Sequence, residues 1–348
     1  MNSARTPREE IESILRREKS EKKLCSSPLQ TSTVDQMGAI DVYWPEAHSS
    51  PEGMAKLSYA TSRLVGVQGM RIPFDLCVEA EALGCGVKLG SIDLPPSIMT
   101  TAFDDFQQLK IPKSILSEGR IPCILKACEL IRERHGDTLP VYVMIVGPLT
   151  LLGFILGIEK TLLSMITAPE HVKQALFEVT KFSTDYANIV LKKSGGFLFI
   201  ADPVASESLV APEQFREFAF PAYQWLKSHV KGTIILHICG NADRLLPIIA
   251  STHFEGFSFH GPDLKPSRVK EGLGEKMALF GNVPTDNPLR WGTPMDVMKE
   301  SLNSLKDGVD VLAPACGVHP LTPLANLKAM VSAVEKYNFT SSKKTSVG

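Results

Sequence analysis

The run Thr233-Ile234-Ile235-Leu236-His237-Ile238-Cys239-Gly240-Asn241 reads as a buried strand that ends in chemistry. A short β-branched stretch leads into a histidine and a cysteine two residues apart, and a glycine follows. Residues i and i+2 of a strand point to the same side, so His237 and Cys239 converge on one point. A second apolar run, Val309-Asp310-Val311-Leu312-Ala313-Pro314-Ala315-Cys316-Gly317, also ends in Cys-Gly. If both runs are neighbouring barrel strands, Cys316 arrives where His237 and Cys239 already sit. Imidazole and thiolates together suit zinc, and three protein ligands leave a fourth position open. Against this stands the ordinary role of a free cysteine as a small buried hydrophobe. Two ligands at this spacing say less than a Cys-x-x-Cys pair would.

Composition bounds the answer. A chain of 348 residues holds two average domains or one large α/β barrel. Its 44% hydrophobic and 22% charged residues are ordinary for a globular protein. A net charge of -1 leaves no basic stripe, which argues against a nucleic-acid partner. No apolar run approaches bilayer length, and the start MNSARTPREE is unlike a signal peptide, so no membrane partner is expected. Seven scattered cysteines, an odd number, do not form a disulfide framework. The expectation is a reduced, cytoplasmic protein.

Outward from the opening run, strand and helix patterns alternate. Residues 1–23 form a charged helical extension with Ile11, Ile14 and Leu15 on one side, and Pro7 and glutamates suit its first turn. Leu24 to Thr33 reads as the first strand, and Tyr43 to His48 as a turn in which His48 is structural. A helix spans Pro51 to Val65, a strand Met70 to Asp75, and a short helix Val78 to Leu83. Residues 85–120, with Pro95, Pro96 and Pro112, form a long covering excursion. Then follow the helix Ile121–Arg134, the strand Leu139–Val146, and a helix Leu149–Met165. A long helix Pro169–Lys193 is stopped by Gly195-Gly196. The strand Phe197–Ala201 leads to a helix Pro212–Val230, kinked at Pro221. Beyond the His237 strand, the pattern gives helix Asp243–Ser251, strand Gly256–Phe259, helix Lys265–Leu273, strand Ala278–Gly281 and helix Pro294–Lys306. The Cys316 strand and a helix Pro323–Tyr337 end the series.

Strands near 26, 71, 142, 199, 235, 257, 279 and 311 make eight, with helices between. This is the pattern of an α/β fold, a (β/α)8 TIM barrel, over residues 24–340, with 341–348 as a disordered tail. Chemistry in such barrels sits at the C-terminal ends of the strands. The polar residues there are Arg71, Asp75, Asp202, His237, Cys239, His260, Asn282 and Cys316.

Several short motifs carry a resemblance that runs from about residue 30 to 337: TVDQM, YWPEAH, MRIPFD, EGRIP, IADPVAS, LHICGN, FEGFS, FGNV and DVLAPACGVHPLTPLANLKAMV. The chain resembles the uroporphyrinogen decarboxylase superfamily, and within it the zinc-dependent methylcobamide:coenzyme M methyltransferases of methanol and methylamine metabolism. The resemblance implies His237, Cys239 and Cys316 as zinc ligands. It also implies a corrinoid, supplied by a partner corrinoid protein, as methyl donor to an acceptor such as coenzyme M. Asp202 is a candidate to orient a ligand or take up the thiol proton, and a loop-capping carboxylate is the alternative. Arg71 and Asn282 are candidates for binding substrate, Arg71 through an anionic tail, although it could as easily pair with Asp75.

Two departures stand out. Where the relatives carry a carboxylate that completes the metal shell, this chain has His260, which is also able to ligate zinc and to act in catalysis. His319, three residues after Cys316, competes for that position. The chain is also expected to diverge from the family before about residue 25. Three other functions are weighed. A uroporphyrinogen decarboxylase would hold substrate carboxylates with arginines near the first strand, but CSSPLQTSTVDQM has none. Tetrahydrofolate as acceptor would keep the same metal and corrinoid. A corrinoid-protein docking module would need four fixed ligands in a closed metal site.

Overall fold

The computed structural model describes residues 5–345, apart from 19, 21, 30, 31, 112–114 and 262. Ten strands are present among them: β1 Leu24–Cys25, β2 Met70–Ile72, β3 Gly86–Lys88, β4 Ser97–Thr100, β5 Val141–Val146, β6 Phe197–Ala201, β7 Ile234–Cys239, β8 Gly256–His260, β9 Ala278–Val283 and β10 Val311–Pro314. Eight are parallel neighbours in the order β1-β10-β9-β8-β7-β6-β5-β2. The ring closes where the Gln68 N–H donates to the Cys25 carbonyl at 2.7 Å. The fold is the expected (β/α)8 TIM barrel, and each of the eight strands falls on its expected run. The other two, β3 and β4, form an antiparallel hairpin within the excursion after β2.

Parallel strands between helices are apolar on both faces. Val141, Val143, Ile145, Leu198, Ile200, Leu236 and Ile238 point outward and pack under the helices. Their alternates Tyr142, Met144, Phe197, Phe199, Ile235 and Phe280 fill the barrel. The helix Pro7–Leu15 adds Ile11, Ile14 and Leu15 to that same inner cluster. Its charged face is partly exposed, but its apolar face plugs the barrel.

Local chemistry accounts for the differences from expectation. The first strand is only two residues long, because Thr33 caps a helix Val34–Ile40 through a reciprocal bond with Gln36. The run 149–165 breaks into helices Pro148–Leu156 and Ile158–Thr167, bent by 106° at Gly157. Pro221 lies just after a π-helical turn, Phe215–Ala219, so the irregularity precedes the proline. Gly195, in the left-handed conformation, ends the helix Pro169–Ser194 as expected. The last helix continues to Thr345, so residues 341–345 are helical where a disordered tail was expected; 346–348 lie outside the described residues. No single described helix is long and apolar enough to cross a membrane.

Because Ile11 is fully buried in the barrel cluster, Ile11→Ala should lower the unfolding free energy by about 2–5 kcal/mol, the usual cost of such a cavity. Urea denaturation of the two proteins measures this. An unchanged midpoint would mean that the helix only rests against the barrel.

Candidate metal centre

His237 and Cys239 stand on alternate positions of β7 and face the same way, as the spacing requires. Cys316 follows β10 by two residues. The three side chains bring one ligand atom each to within 4.8 Å of one another. The Cys239 and Cys316 sulfurs are 3.6 Å apart and not joined. Two thiolates on one tetrahedral zinc stand about 3.8 Å apart, given zinc–sulfur distances near 2.3 Å. His237 is buried, and its Nδ1 lies 3.1 Å from the Ser258 hydroxyl. Its Nε2 has no hydrogen-bond partner among the described residues. A buried ring nitrogen left bare beside two free thiols, with the other nitrogen held by a hydroxyl, is the arrangement a metal ligand needs. The residues present therefore fit zinc.

The pair of thiols is electrostatically split. The bond from Cys239 pulls the Cys316 thiol well below its ordinary pKa, with help from His237 and against burial. The same bond, together with burial, pushes the Cys239 thiol up.

These groups open on a cavity of about 730 Å³, walled mainly by apolar side chains including Phe74, Ile98, Met144 and Phe154. Pro95, Pro96 and Ile98 come from the β3–β4 excursion, which covers this end of the barrel. Arg71 lines the cavity, donating to the Leu29 carbonyl at 3.2 Å and resting Nη2 against the Met144 sulfur at 2.7 Å. Burial pushes its guanidinium down to about 10, while Asp75 and Cys316 hold it up. Asp75 does not hydrogen-bond to Arg71. Arg120 grips both its oxygens at 2.8 and 3.0 Å, and His48 lies 3.6 Å away. Burial would raise the Asp75 carboxyl, but Arg120 outweighs it and holds it below the usual range. His48 is buried behind the wall, where desolvation pushes it down to about 4.

Asp202, His260 and Asn282 are placed apart from this cavity. Asp202 is fully buried and accepts from the Leu149 and Thr150 backbone N–H groups at 3.4 and 2.8 Å. The Thr150 and Tyr223 hydroxyls add bonds of 2.6 and 2.9 Å. It caps the helix Pro148–Leu156 from a distance in sequence, the capping alternative, and burial raises its pKa. Gly147 permits this approach, since a Cβ there would stand 2.2 Å from Asp202. His260 touches the centre only through Nδ1, 3.5 Å from the Cys239 sulfur, and it faces a separate polar cleft. Asn282 lines that cleft too, accepting from the Ser304 hydroxyl at 3.2 Å. His319 lines the main cavity, but its Nδ1 accepts from the Leu321 N–H at 3.1 Å. Ser258 and Arg120 lie in the FEGFS and EGRIP motifs, but the sequence assigns neither a role. A lone serine two residues before His260, in an otherwise apolar strand, is the signal that places Ser258 beside His237.

A family model described as uroporphyrinogen decarboxylase (URO-D) matches residues 6–337. The match includes the N-terminal helix, so the expected divergence before residue 25 does not hold; the helix that plugs the barrel lies within it. Methylcobamide:CoM methyltransferase MtaA of Methanosarcina barkeri is 34% identical over 89% of this chain and 92% of its own length. Methylcobamide:CoM methyltransferase MtbA of Methanosarcina acetivorans is 33% identical over 96% of this chain and 99% of its own. A solved methyltransferase from Methanosarcina mazei superposes with a TM-score of 0.93 at 34% identity, covering 96% of this chain and 99% of that one.

Replacing the cap by Asp202→Ala strands buried backbone donors, so the unfolding free energy should fall by about 1–3 kcal/mol. Guanidinium denaturation followed by circular dichroism reads the loss, and an unchanged curve would show that the cap carries no stability.

Proposed function

The chain belongs to the uroporphyrinogen decarboxylase family, and from that premise we propose that it is a zinc-dependent methyltransferase. In this reading it moves a methyl group from a methylated corrinoid, presented by a separate corrinoid protein, to a small thiol such as coenzyme M. The observation that carries the reading is the His237, Cys239 and Cys316 cluster at the foot of a largely apolar cavity. The printed activities of the relatives supply the reaction class. Decarboxylation offers no use for a bare imidazole and two free thiols.

When bound by His237, Cys239 and Cys316, zinc supplies Lewis acidity toward an incoming thiol. The chain does the rest. Ser258 fixes the His237 ring so that Nε2 faces the two sulfurs. The apolar walls exclude water, which strengthens each electrostatic contact inside. Arg71 offers positive charge to an anionic tail on the acceptor. In the transfer, the acceptor sulfur forms the new S–CH3 bond as the Co–C bond breaks. The methylated corrinoid of the partner protein would supply the methyl group and keep the bonding pair, and the thiol proton would leave to solvent. His260, beside Cys239, is proposed as a further ligand or a support for that sulfur. Reduced thiols of this kind suit a cytoplasmic setting.

Two measurements test the proposal. Purified protein should contain about one zinc per chain, as three ligands with an open position imply, and the Cys239→Ala, Cys316→Ala double variant should lose it by elemental analysis. Full zinc content in that variant would end the metal assignment. Incubated anaerobically with methylcobalamin, the protein should release cob(I)alamin when coenzyme M is added. Release with tetrahydrofolate alone would reassign the acceptor, and release with neither would refute methyl transfer.

A further inference from the structure

A second, polar cleft of about 840 Å³ adjoins the centre beside β8 and β9. Gly261, Pro284 and Ala315, which directly follow β8, β9 and β10, line it, so it reaches the same end of the barrel as the apolar cavity. The two spaces meet at two points of the chain. His260 lines the cleft while its Nδ1 lies 3.5 Å from the Cys239 sulfur. Ala315 lines the cleft, and its neighbour Cys316 lines the cavity.

The chemistry of the cleft is unlike that of the cavity. It presents the amides of Asn282, Asn287 and Asn303. Asn282 Oδ1 accepts from the hydroxyl of Ser304, a buried residue, at 3.2 Å, which orients that amide. Its Nδ2 makes no hydrogen bond among the described residues, and a second lone pair remains on Oδ1. The charges nearly balance, Asp263, Glu300 and Asp307 against Lys265 and Lys306, so the cleft does not select an ion. A ligand that matches it is neutral and offers donors and acceptors side by side, which is the character of a carboxamide.

A corrinoid is a flat, largely apolar macrocycle fringed with acetamide and propionamide side chains. For transfer, its methyl-bearing cobalt must stand over a sulfur at the centre. The macrocycle is several times wider than the 3.5 Å between Cys239 and His260, so its fringe extends over the spaces that adjoin the centre. We propose that the cleft beside His260 is a subsite for peripheral carboxamides of the methylated corrinoid, and that Asn282 is the residue that pairs with them. This rests on the methyl-transfer reading above and gives its donor substrate a place on this chain. Asn282 Nδ2 donates to the carboxamide oxygen, and Oδ1 accepts from the carboxamide N–H. An ester in the same position keeps the oxygen and loses the N–H.

Two free corrinoids isolate this pairing. Methylcobinamide and methylated heptamethyl cobyrinate share the macrocycle, the Co–CH3 bond and the lack of a nucleotide; the first carries carboxamides and the second methyl esters. Equilibrium dialysis of the full-length protein, in the dark and without acceptor, reads binding apart from turnover. Methylcobinamide should bind about tenfold or more tightly, the worth of one or two hydrogen bonds. The double variant Asn282→Leu, Ser304→Ala removes both partners of the buried bond, so no hydroxyl is stranded. It should bind methylcobinamide as weakly as the ester and leave the ester unchanged. In methyl transfer it should raise KM for methylcobinamide and leave KM for coenzyme M unchanged. Equal binding of the two corrinoids by the wild-type protein, or binding of neither, would overturn the proposal even if the variant did not fold. A folded double variant that still prefers the carboxamide would overturn the role of Asn282. Carboxamide-selective binding without any methyl transfer would instead count against the reaction class alone.

Discussion

The centre depends on a register. Parallel strands β6, β7 and β8 pair Ala201 with His237, His237 with Ser258, and Cys239 with His260. Because side chains repeat direction every second residue, this pairing sets Ser258 beside the His237 ring and a histidine beside Cys239. A slip of one residue would turn His237 and Cys239 into the helix-facing apolar layer. The same register leaves β10 ending near enough for Cys316 to complete the group. Backbone bonds beyond the strands hold it, the Asp202 N–H donating to the His237 carbonyl at 3.0 Å and the Gly240 N–H to the His260 carbonyl at 2.6 Å.

Much of the polar chemistry around the cavity is structural support. Asp202 spends its carboxylate on the end of the Pro148–Leu156 helix, whose residues Gly153 and Phe154 line the cavity. Asp75 and Arg120 tie the loop after β2 to the start of the helix Ile121–His135, and Arg120 also reaches Glu81 at 2.6 Å. Breaking such a buried pair strands a charge, so the wall is more rigid than its apolar composition suggests. Arg71 stands outside these pairings, bonded to the Leu29 carbonyl and resting against the Met144 sulfur.

The barrel was legible because its signal is long and repeated: eight apolar runs with helices between, all of them where the pattern puts them. The clustering of His237, Cys239 and Cys316 was legible for a local reason, the i, i+2 placement at a strand end, once Cys316 was brought alongside by the fold. What eluded the sequence depended on direction and distance. Asn282 sits at a strand end like the ligands, but its side chain turns to Ser304 on the helix Pro294–Lys306. Asp202 reads equally well as catalyst or cap until its bonds to residues 149 and 150 are seen. Ser258 closes the FEGFS motif, but nothing in that motif gives it a role; the role comes from the strand beside it.

The excursion between β2 and β5 makes the site more than an exposed group of an imidazole and two thiols. Barrel strands deliver His237, Cys239 and Arg71 to one end, where they would otherwise meet bulk water. Pro95, Pro96 and Ile98 close part of that end, and the kinked pair of helices meeting at Gly157, bonded to the excursion through the Ile155 carbonyl, supplies Phe154 and Ile158. In water a bare indole N–H and an unpaired guanidinium would be solvated and indifferent to a ligand. Under this apolar cover they cannot be, since desolvation raises the cost of leaving them unmatched. The cover therefore keeps bulk water from Arg71 and Trp44, as the strand register keeps the two thiols beside the His237 ring.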